Sequence, residues 1–302
     1  MQLPCMISIS EGKTRRRIPN LVKWAGGKGY AIENLMNYVP SHIDTYHEPF
    51  FGGGSLFWNL KQSGIIDRAI ISDVNPHLIN LLNIIKNHPI DLAEELTNYV
   101  GISREDEYYE IRKRFNSKRS KKNLDVEKSA MFIYLNRNCY NGLWRINRKG
   151  EFNVPFGFYK KYYLPSLGNL EIYSELLQDT VILLDDFSVS MKLCKENDFV
   201  YLDPPYYSTS GFTEYAGVKF TLKDQAKLAS LFKYLSENGV NLTESNSNHP
   251  DILSLYNGFK TIQINGQSLI SSKNDGRGIT NEVLITNQPI CLPLRASSPL
   301  DI

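Results

Sequence analysis

Apolar and polar positions follow one rhythm at the two ends of the chain and another between them. Up to about residue 95, short apolar runs are punctuated by glycine or acid. Leu21–Lys28 leads into a helical stretch at Tyr30–Tyr38, which Pro40 closes because proline cannot continue a helix. Thr45–Phe50 is extended and ends in Gly52-Gly53-Gly54, after which Ser55–Leu60 begins a helix. Ala69-Ile70-Ile71 is a short apolar strand ended by Ser72-Asp73-Val74-Asn75-Pro76. Leu78, Leu81, Leu82 and Ile85 then recur at the three- and four-residue spacing of a helix buried on one side. Strand, glycine turn, helix, strand, acid, helix is the opening of a doubly wound α/β sheet.

The rhythm changes in the middle. Tyr108–Arg119 is basic and aromatic, and Glu127–Leu135 has the apolar face of a helix. Further on, Leu143, Arg145 and Asn147 fall on one face of an alternating stretch and Trp144 and Ile146 on the other. Asn147–Gly150 supplies turn residues, so a β-hairpin is predicted with Trp144 and Ile146 as its core. The α/β rhythm returns with strands at Val181–Leu184 and Phe199–Leu202, a helix at Lys223–Leu235, and late strands at Thr261–Ile264 and Val283–Thr286. Residues 21–95 and 181–290 are therefore expected to form one Rossmann-like α/β domain. It is interrupted by a mainly helical module at 96–180 and flanked by an arm at 1–20 and a tail at 291–302.

Composition narrows the class only slightly. With 42% apolar and 22% charged residues in a chain of 302, this is an ordinary globular protein long enough for a core domain plus an insertion. A net charge of +2 does not by itself point to nucleic acid, but the basic residues cluster in Lys13–Arg17 and Arg112–Lys122. Each run alone reads as a solvated tail or helix end. Cys5, Cys139, Cys194 and Cys291 form no CxxC pair, and no Cys/His spacing suits zinc, so free thiols in a reducing compartment and no metal are expected. No run of about 18 apolar residues marks a membrane span, which predicts a cytoplasmic protein.

Two features carry chemistry. A glycine triplet after a strand lets backbone approach a ligand, and Asp73, 20 positions after Gly53, stands where an acid accepts ribose hydroxyls. The pattern is neither a Walker loop nor a strict GxGxxG, so a nucleoside-containing cofactor without phosphate fits. The second feature is Asp203-Pro204-Pro205-Tyr206, directly after an apolar strand, where open α/β sheets bind ligands. An aryl amine is a poor nucleophile because its lone pair is delocalised into the ring. The Asp203 carboxylate and the Pro204 carbonyl are placed to accept its two N–H bonds and draw it toward tetrahedral geometry. The prolines stiffen the loop, and Tyr206 offers a stacking face worth roughly 1–3 kcal/mol. A methyl then moves in line from a sulfonium. Chemistry on a base of duplex DNA requires the nucleotide to leave the stack. In the inserted module, Arg145 matches a guanine edge, Asn141 an adenine edge or a turn, and Tyr140, Tyr159, Lys160 and Lys161 suit stacking and phosphates.

Taken together, Lys23–Lys28, Glu48–Gly54, Ser72–Asn75, Leu135–Gly157, Asp203–Tyr206 and Asn281–Asn287 resemble the Dam-like D12 class of DNA adenine N6-methyltransferases over nearly the whole chain. The resemblance implies a Rossmann-like S-adenosylmethionine-dependent fold with an inserted target-recognition module. It also implies cofactor contacts from Trp24, Lys28, Gly52, Gly54, Asp73, Asp186, Phe187 and Asp203, with Lys28 suited to the cofactor carboxylate and Asp186-Phe187 lying against its adenine ring. Asp203, Pro204 and Tyr206 are implied as catalytic. Lys23, Tyr140, Asn141, Leu143, Arg145 and Tyr159 are implied as DNA contacts and double-stranded GATC as target, with the enzyme either solitary or paired with a restriction endonuclease acting on the same site. Two departures bear on turnover. Asn241-Leu242-Thr243-Glu244 stands where the family has an apolar strand, and a buried Glu there is costly unless paired. Ser268 stands where the family often has arginine, two residues before Ile270-Ser271-Ser272. Two alternatives stay open: a DNA-binding homologue with impaired catalysis, and an amino methyltransferase acting on cytosine N4, RNA or protein amide.

Overall fold

The computed structural model describes residues 19–117, 125–207, 214–215, 218–267 and 279–289. The Lys13–Arg17 cluster, Lys118–Lys122, Cys5, Cys291, Ser268–Ser272 and the 291–302 tail lie outside the described residues.

The first half runs α1 (Ile32–Met36), β1 (Tyr46–Glu48), α2 (Ser55–Ser63), β2 (Ala69–Asp73), α3 (Pro76–Asn87), α4 (Pro89–Leu96), α5 (Glu105–Ser117) and α6 (Val126–Asn138). The second runs α7 (Leu167–Leu177), β3 (Thr180–Leu184), α8 (Phe187–Ser190), β4 (Phe199–Leu202), β5 (Glu214–Tyr215), β6 (Val218–Lys219), α9 (Leu222–Glu237), β7 (Asn241–Ser247), α10 (Pro250–Leu255), β8 (Lys260–Gln267) and β9 (Ile279–Thr286). Seven strands form one sheet in the order β3-β2-β1-β4-β7-β9-β8, and β5 pairs with β6 separately. Strands β3, β2, β1, β4 and β7 are parallel, and β9 runs antiparallel to both of its neighbours. The α/β expectation therefore holds.

Local chemistry explains the element starts. Asn75 caps α3 by accepting from the backbone amides of His77 and Leu78, with Pro76 in the first turn, where it has no hydrogen bond to lose. Thr221 and Asp224 form a reciprocal capping box at α9, and Ser166 and Asn169 do so at α7. The central strand β4 is buried on both faces, as a parallel strand covered by helices must be. Its residues alternate between two cores. Phe199 and Tyr201 join the larger cluster with Tyr46, and Val200 and Leu202 join Phe187, Phe232, Leu242 and Ile285 in the smaller.

Strand β7 is polar yet buried from Leu242 to Asn246, in the sheet between β4 and β9. Each polar side chain finds a partner. Thr243 Oγ1 lies 3.0 Å from Thr286 Oγ1, and Ser245 Oγ 2.8 Å from the Tyr201 hydroxyl. Glu244 accepts from the Tyr256 hydroxyl at 2.6 Å and from Asn246 Nδ2 at 2.7 Å. The condition under which a buried Glu is tolerable is thus met.

The predicted hairpin forms, but with little strand pairing. Two isolated bridges, Cys139 to Phe156 and Ile146 to Phe152, are supplemented by the Asn153 amide donating to the Arg145 carbonyl at 3.1 Å. Side-chain packing closes it instead. Trp144 turns inward against Phe132 at 4.4 Å and Phe152 at 4.8 Å between ring centroids. Among the described residues no helix is long and apolar enough to cross a membrane.

Candidate active site

A cavity of about 290 Å³ opens at the C-terminal ends of β1, β2 and β4. Trp24, Lys28, Gly52, Gly54, Asp73, Asp186, Phe187, Asp203, Pro204 and Tyr206 all line it, so residues far apart in the chain converge there. They do so because parallel strands end on the same side of the sheet, where the connecting loops must turn.

The glycine turn is sterically required. Gly52 and Gly54 adopt φ of +48° and +63°, a region costly for other residues. A Cβ on Gly52 would lie 2.8 Å from Trp24 Nε1, and one on Gly54 2.4 Å from Phe51 Cζ. The Gly52 amide donates to Asp73 Oδ2 at 2.9 Å and the Asn75 amide to Oδ1 at 2.8 Å, which ties the glycine turn to the acid at the end of β2. On the next wall Phe187 is stacked on Phe50 at 5.3 Å, with Phe220 edge-on to both at 5.7 Å. Asp186 caps α8 through the Ser188 amide at 2.9 Å and approaches Lys227 at 3.6 Å.

Lys28 is buried and forms an ion pair with Asp203 Oδ1 at 2.8 Å. It also donates to the Gly26 carbonyl at 2.8 Å and lies 4.7 Å from the centre of the Tyr206 ring. Its ammonium thus meets the carboxylate of the strand-end loop. Burial raises the Asp203 pKa, Lys28 opposes that rise, and the nearby Glu282 carboxyl adds to it. The buried Tyr206 hydroxyl forms no hydrogen bond of ordinary geometry, and burial and Asp203 push its pKa well up.

Three further groups shape the site without having been assigned a role from sequence. Glu48, at the end of β1, is buried in the cavity wall and accepts from the Tyr46 hydroxyl at 2.8 Å. Burial drives its pKa well above the ordinary carboxylate value, opposed by the Tyr46 hydroxyl. Glu282 on β9 accepts from the Tyr30 hydroxyl. Gln225 on α9 is buried and donates through Nε2 to the Pro205 carbonyl at 3.0 Å. Glu48 and Glu282 stand beside apolar strand positions in the sequence, whereas nothing near Gln225 marks it.

The residues expected to meet DNA gather elsewhere, around the hairpin. Asn141 and Gly142 take left-handed φ of 53° and 62°, and a Cβ on Gly142 would fall 2.4 Å from Lys23 Cβ. The Lys23 ammonium sits 4.0 Å from the centre of the Tyr159 ring, and the Tyr159 hydroxyl accepts from the Asn141 amide at 3.0 Å. Burial, then Arg137, lowers the Lys23 pKa. Tyr140 is exposed, and Leu143 is half-buried against the larger core. Exposed Arg145 donates through Nε to Asn153 Oδ1 at 2.7 Å. Phe158, not singled out from sequence, is 69% exposed with φ of 53°. Part of the second basic run is already engaged: Arg112 donates to the Val154 carbonyl at 3.1 Å, and Arg114 pairs with Glu127.

A family model described as D12 class N6 adenine-specific DNA methyltransferase matches residues 24–270. The chain is 38% identical to Type II methyltransferase M.MjaIII of Methanocaldococcus jannaschii, over 88% of this chain and 98% of that protein. It is 34% identical to Type II methyltransferase M1.LlaDCHI of Lactococcus lactis subsp. cremoris, over 91% and 97%. It is 34% identical to the DNA adenine methylase of Escherichia coli K12, over 89% and 95%.

Proposed function

The chain belongs to the D12 class of N6 adenine-specific DNA methyltransferases, and from that premise we propose that it modifies a flipped adenine within GATC, with S-adenosylmethionine as methyl donor. The observation that carries this reading is the Asp203 carboxylate, fixed against Lys28 at 2.8 Å in a cavity shared with the glycine turn. When bound, S-adenosylmethionine supplies an electrophilic methyl group on a sulfonium centre.

The cavity suits such a molecule. The Gly52–Gly54 backbone has no side chain in the way, Asp73 offers acceptors for ribose hydroxyls, and Phe187 with Asp186 forms an aromatic wall with an acidic rim. Trp24 would close the opposite side, and Lys28, Gly52, Gly54 and Asp203 would complete the contacts. Lys28 serves a second purpose: by pairing with Asp203 it opposes the rise that burial imposes on that carboxyl and so favours its ionised, accepting form. Asp203 and the Pro204 carbonyl then hold both hydrogens of the target amine, which localises its lone pair, while Tyr206 stacks on the base. All of these groups are positioned before substrate arrives.

The segment 96–180 is read as the target-recognition module, with 21–95 and 181–290 as the catalytic domain. Arg145 and Asn141 read base edges in the major groove, Leu143 packs against them, and Lys23, Tyr140 and Tyr159 grip the backbone or stack. The printed names of two relatives as Type II methyltransferases support pairing with a restriction endonuclease of the same specificity. The pairing of Glu244 answers one of the two departures that bear on turnover; the other, Ser268, lies outside the described residues.

The test is transfer of labelled methyl to duplexes that differ only in the candidate site, with digestion by endonucleases sensitive to methylated GATC. Incorporation confined to GATC duplexes and lost in Asp203→Ala is expected. Incorporation at another adenine context would overturn the target, and none at all would overturn the activity.

A further inference from the structure

The two prolines of Asp203–Tyr206 leave a freedom that the loop cannot remove by itself. Proline fixes φ, but ψ remains open. Rotation about ψ of Pro205 swings the Pro205 carbonyl and, with it, the peptide that carries the Tyr206 ring. Something outside the loop must stop that rotation if the ring is to stay in one place. Gln225 Nε2 is bonded to that carbonyl at 3.0 Å, and Gln225 is fully buried.

An amide can present either end, so Gln225 holds the carbonyl only if its own orientation is set. Asn246 Nδ2 donates to Gln225 Oε1 at 3.0 Å, leaving the NH₂ end of Gln225 for the loop. Asn246 is oriented in turn from both sides. Its Nδ2 also donates to Glu244 Oε1 at 2.7 Å, and its Oδ1 accepts from the Ser247 amide at 2.8 Å. Flipping Asn246 would set oxygen against carboxylate oxygen and nitrogen against an N–H. Glu244 is anchored by the Tyr256 hydroxyl at 2.6 Å. Sheet register makes the reach short. Glu244 pairs with Leu202, the residue before Asp203, and Leu242, Glu244 and Asn246 share one face of β7 at a period of two. Gln225, Asn246 and Glu244 are each completely shielded from solvent, so no water competes for these bonds.

We propose that Gln225 is a positioning residue for methyl transfer, and that Asn246 and Glu244 act through it by fixing which end of its amide meets the Pro205 carbonyl. The proposal rests on the reading that Asp203–Tyr206 holds the target amine. It gives the polar strand a purpose. Glu244 is the second link in a chain of four side chains, from Tyr256 to Gln225, that ends on the catalytic loop.

The experiment measures single-turnover methyl transfer, cofactor affinity, DNA affinity and thermal melting in the full chain. Gln225→Glu keeps size and the acceptor toward Asn246 and, at a pH where the new carboxyl is ionised, removes the donor to Pro205. Its transfer rate is expected to fall by about tenfold to a hundredfold, the scale of a small misplacement of reacting groups, with both affinities within about twofold. Gln225→Leu serves as the second variant should the first fail to fold, with the same expectation. Glu244→Met should slow transfer through the same bonds, and Glu244→Gln, which keeps an acceptor for Asn246, should recover most of that loss. The combination of Glu244→Met with Gln225→Glu should be no slower than Gln225→Glu alone. A Gln225 variant that melts as the parent does and transfers methyl at the parental rate overturns the proposal. Losses in affinity that match the loss in rate also overturn it, because they indicate general disruption. Asp203→Ala separates the two levels: if it retains turnover, the reading of the loop fails; if it abolishes turnover while Gln225→Glu does not slow it, only the positioning role fails.

Discussion

The strand-end cavity and the hairpin around Asn141–Asn153 are built on opposite plans. In the cavity the charged groups are tied to distant parts of the chain: Lys28 to Asp203, and Asp73 to the Gly52 amide. In the hairpin the polar groups hold one another locally and remain at the surface, as Arg145 does with Asn153 and Asn147 with Glu151 at 2.8 Å. The first plan suits chemistry that needs fixed dipoles before the reaction begins. The second suits recognition, in which a solvated arginine exchanges a local acceptor for one on a base at little cost.

The contrast can be broken on the cavity side first. Asp203→Ala should lower the methyl-transfer rate by roughly 10²–10³-fold, the scale of losing one preorganised charge-stabilising group. DNA binding, measured by anisotropy, should stay near the parental value, because no hairpin contact is touched.

The next effect is on stability. Burial pushes the Glu244 carboxyl up to about 7, partly opposed by Tyr256 and Asn246 and reinforced by the charge of Asp203. Since this folded value lies above the ordinary carboxylate value of 4.5, the folded state holds a proton that the unfolded state has released across that interval. Its stabilisation is complete below pH 4.5 and is lost as pH rises through about 7. The total is about 3 kcal/mol for a shift of this size. Glu244→Gln should therefore melt at nearly the same temperature at pH 5 and pH 8, apart from other groups, while the parent loses stability over that range. A parental melting curve unchanged across the interval would contradict the shift.

Gly54→Ala tests the close approach. With φ of +63° and Phe51 Cζ 2.4 Å from the added Cβ, the turn must open, at about 1–3 kcal/mol. Weaker cofactor binding by calorimetry and a lower melting temperature are expected together. The smallest effect belongs to the hairpin. Arg145→Ala should cost about 1–3 kcal/mol of discrimination between matched and mismatched sites. It should shift the melting temperature little, because the side chain is exposed. Equal loss of affinity for all sequences would instead mark Arg145 as a phosphate contact.

Much of this was legible from residue order. The apolar runs at Ala69–Ile71, Val181–Leu184 and Phe199–Leu202 became β2, β3 and β4 with boundaries shifted by at most two residues. Trp144 turned inward, as the alternation of the hairpin required. Among the elements that went unpredicted are the helices α4, α7, α8 and α10, which depend on packing against neighbours distant in sequence, and the two-residue strands β5 and β6. The hairpin was legible as a turn but not as two loosely paired arms closed by aromatic rings.

By itself the sequence determined the order of strands and helices, the glycine turn that must admit a backbone approach, and the acid–proline–proline–tyrosine loop after β4. These are properties of neighbours along the chain: periodicity, φ restriction and caps. Only the tertiary structure decided that Lys28 meets Asp203, that burial raises the pKa of Glu48, and that the Glu on β7 reaches the catalytic loop through Asn246 and Gln225. Burial and hydrogen-bond partnership arise between segments that meet only when the sheet is assembled. The same acid that reads as a liability in a linear strand is, once β7 lies beside β4, the anchor of a satisfied polar chain.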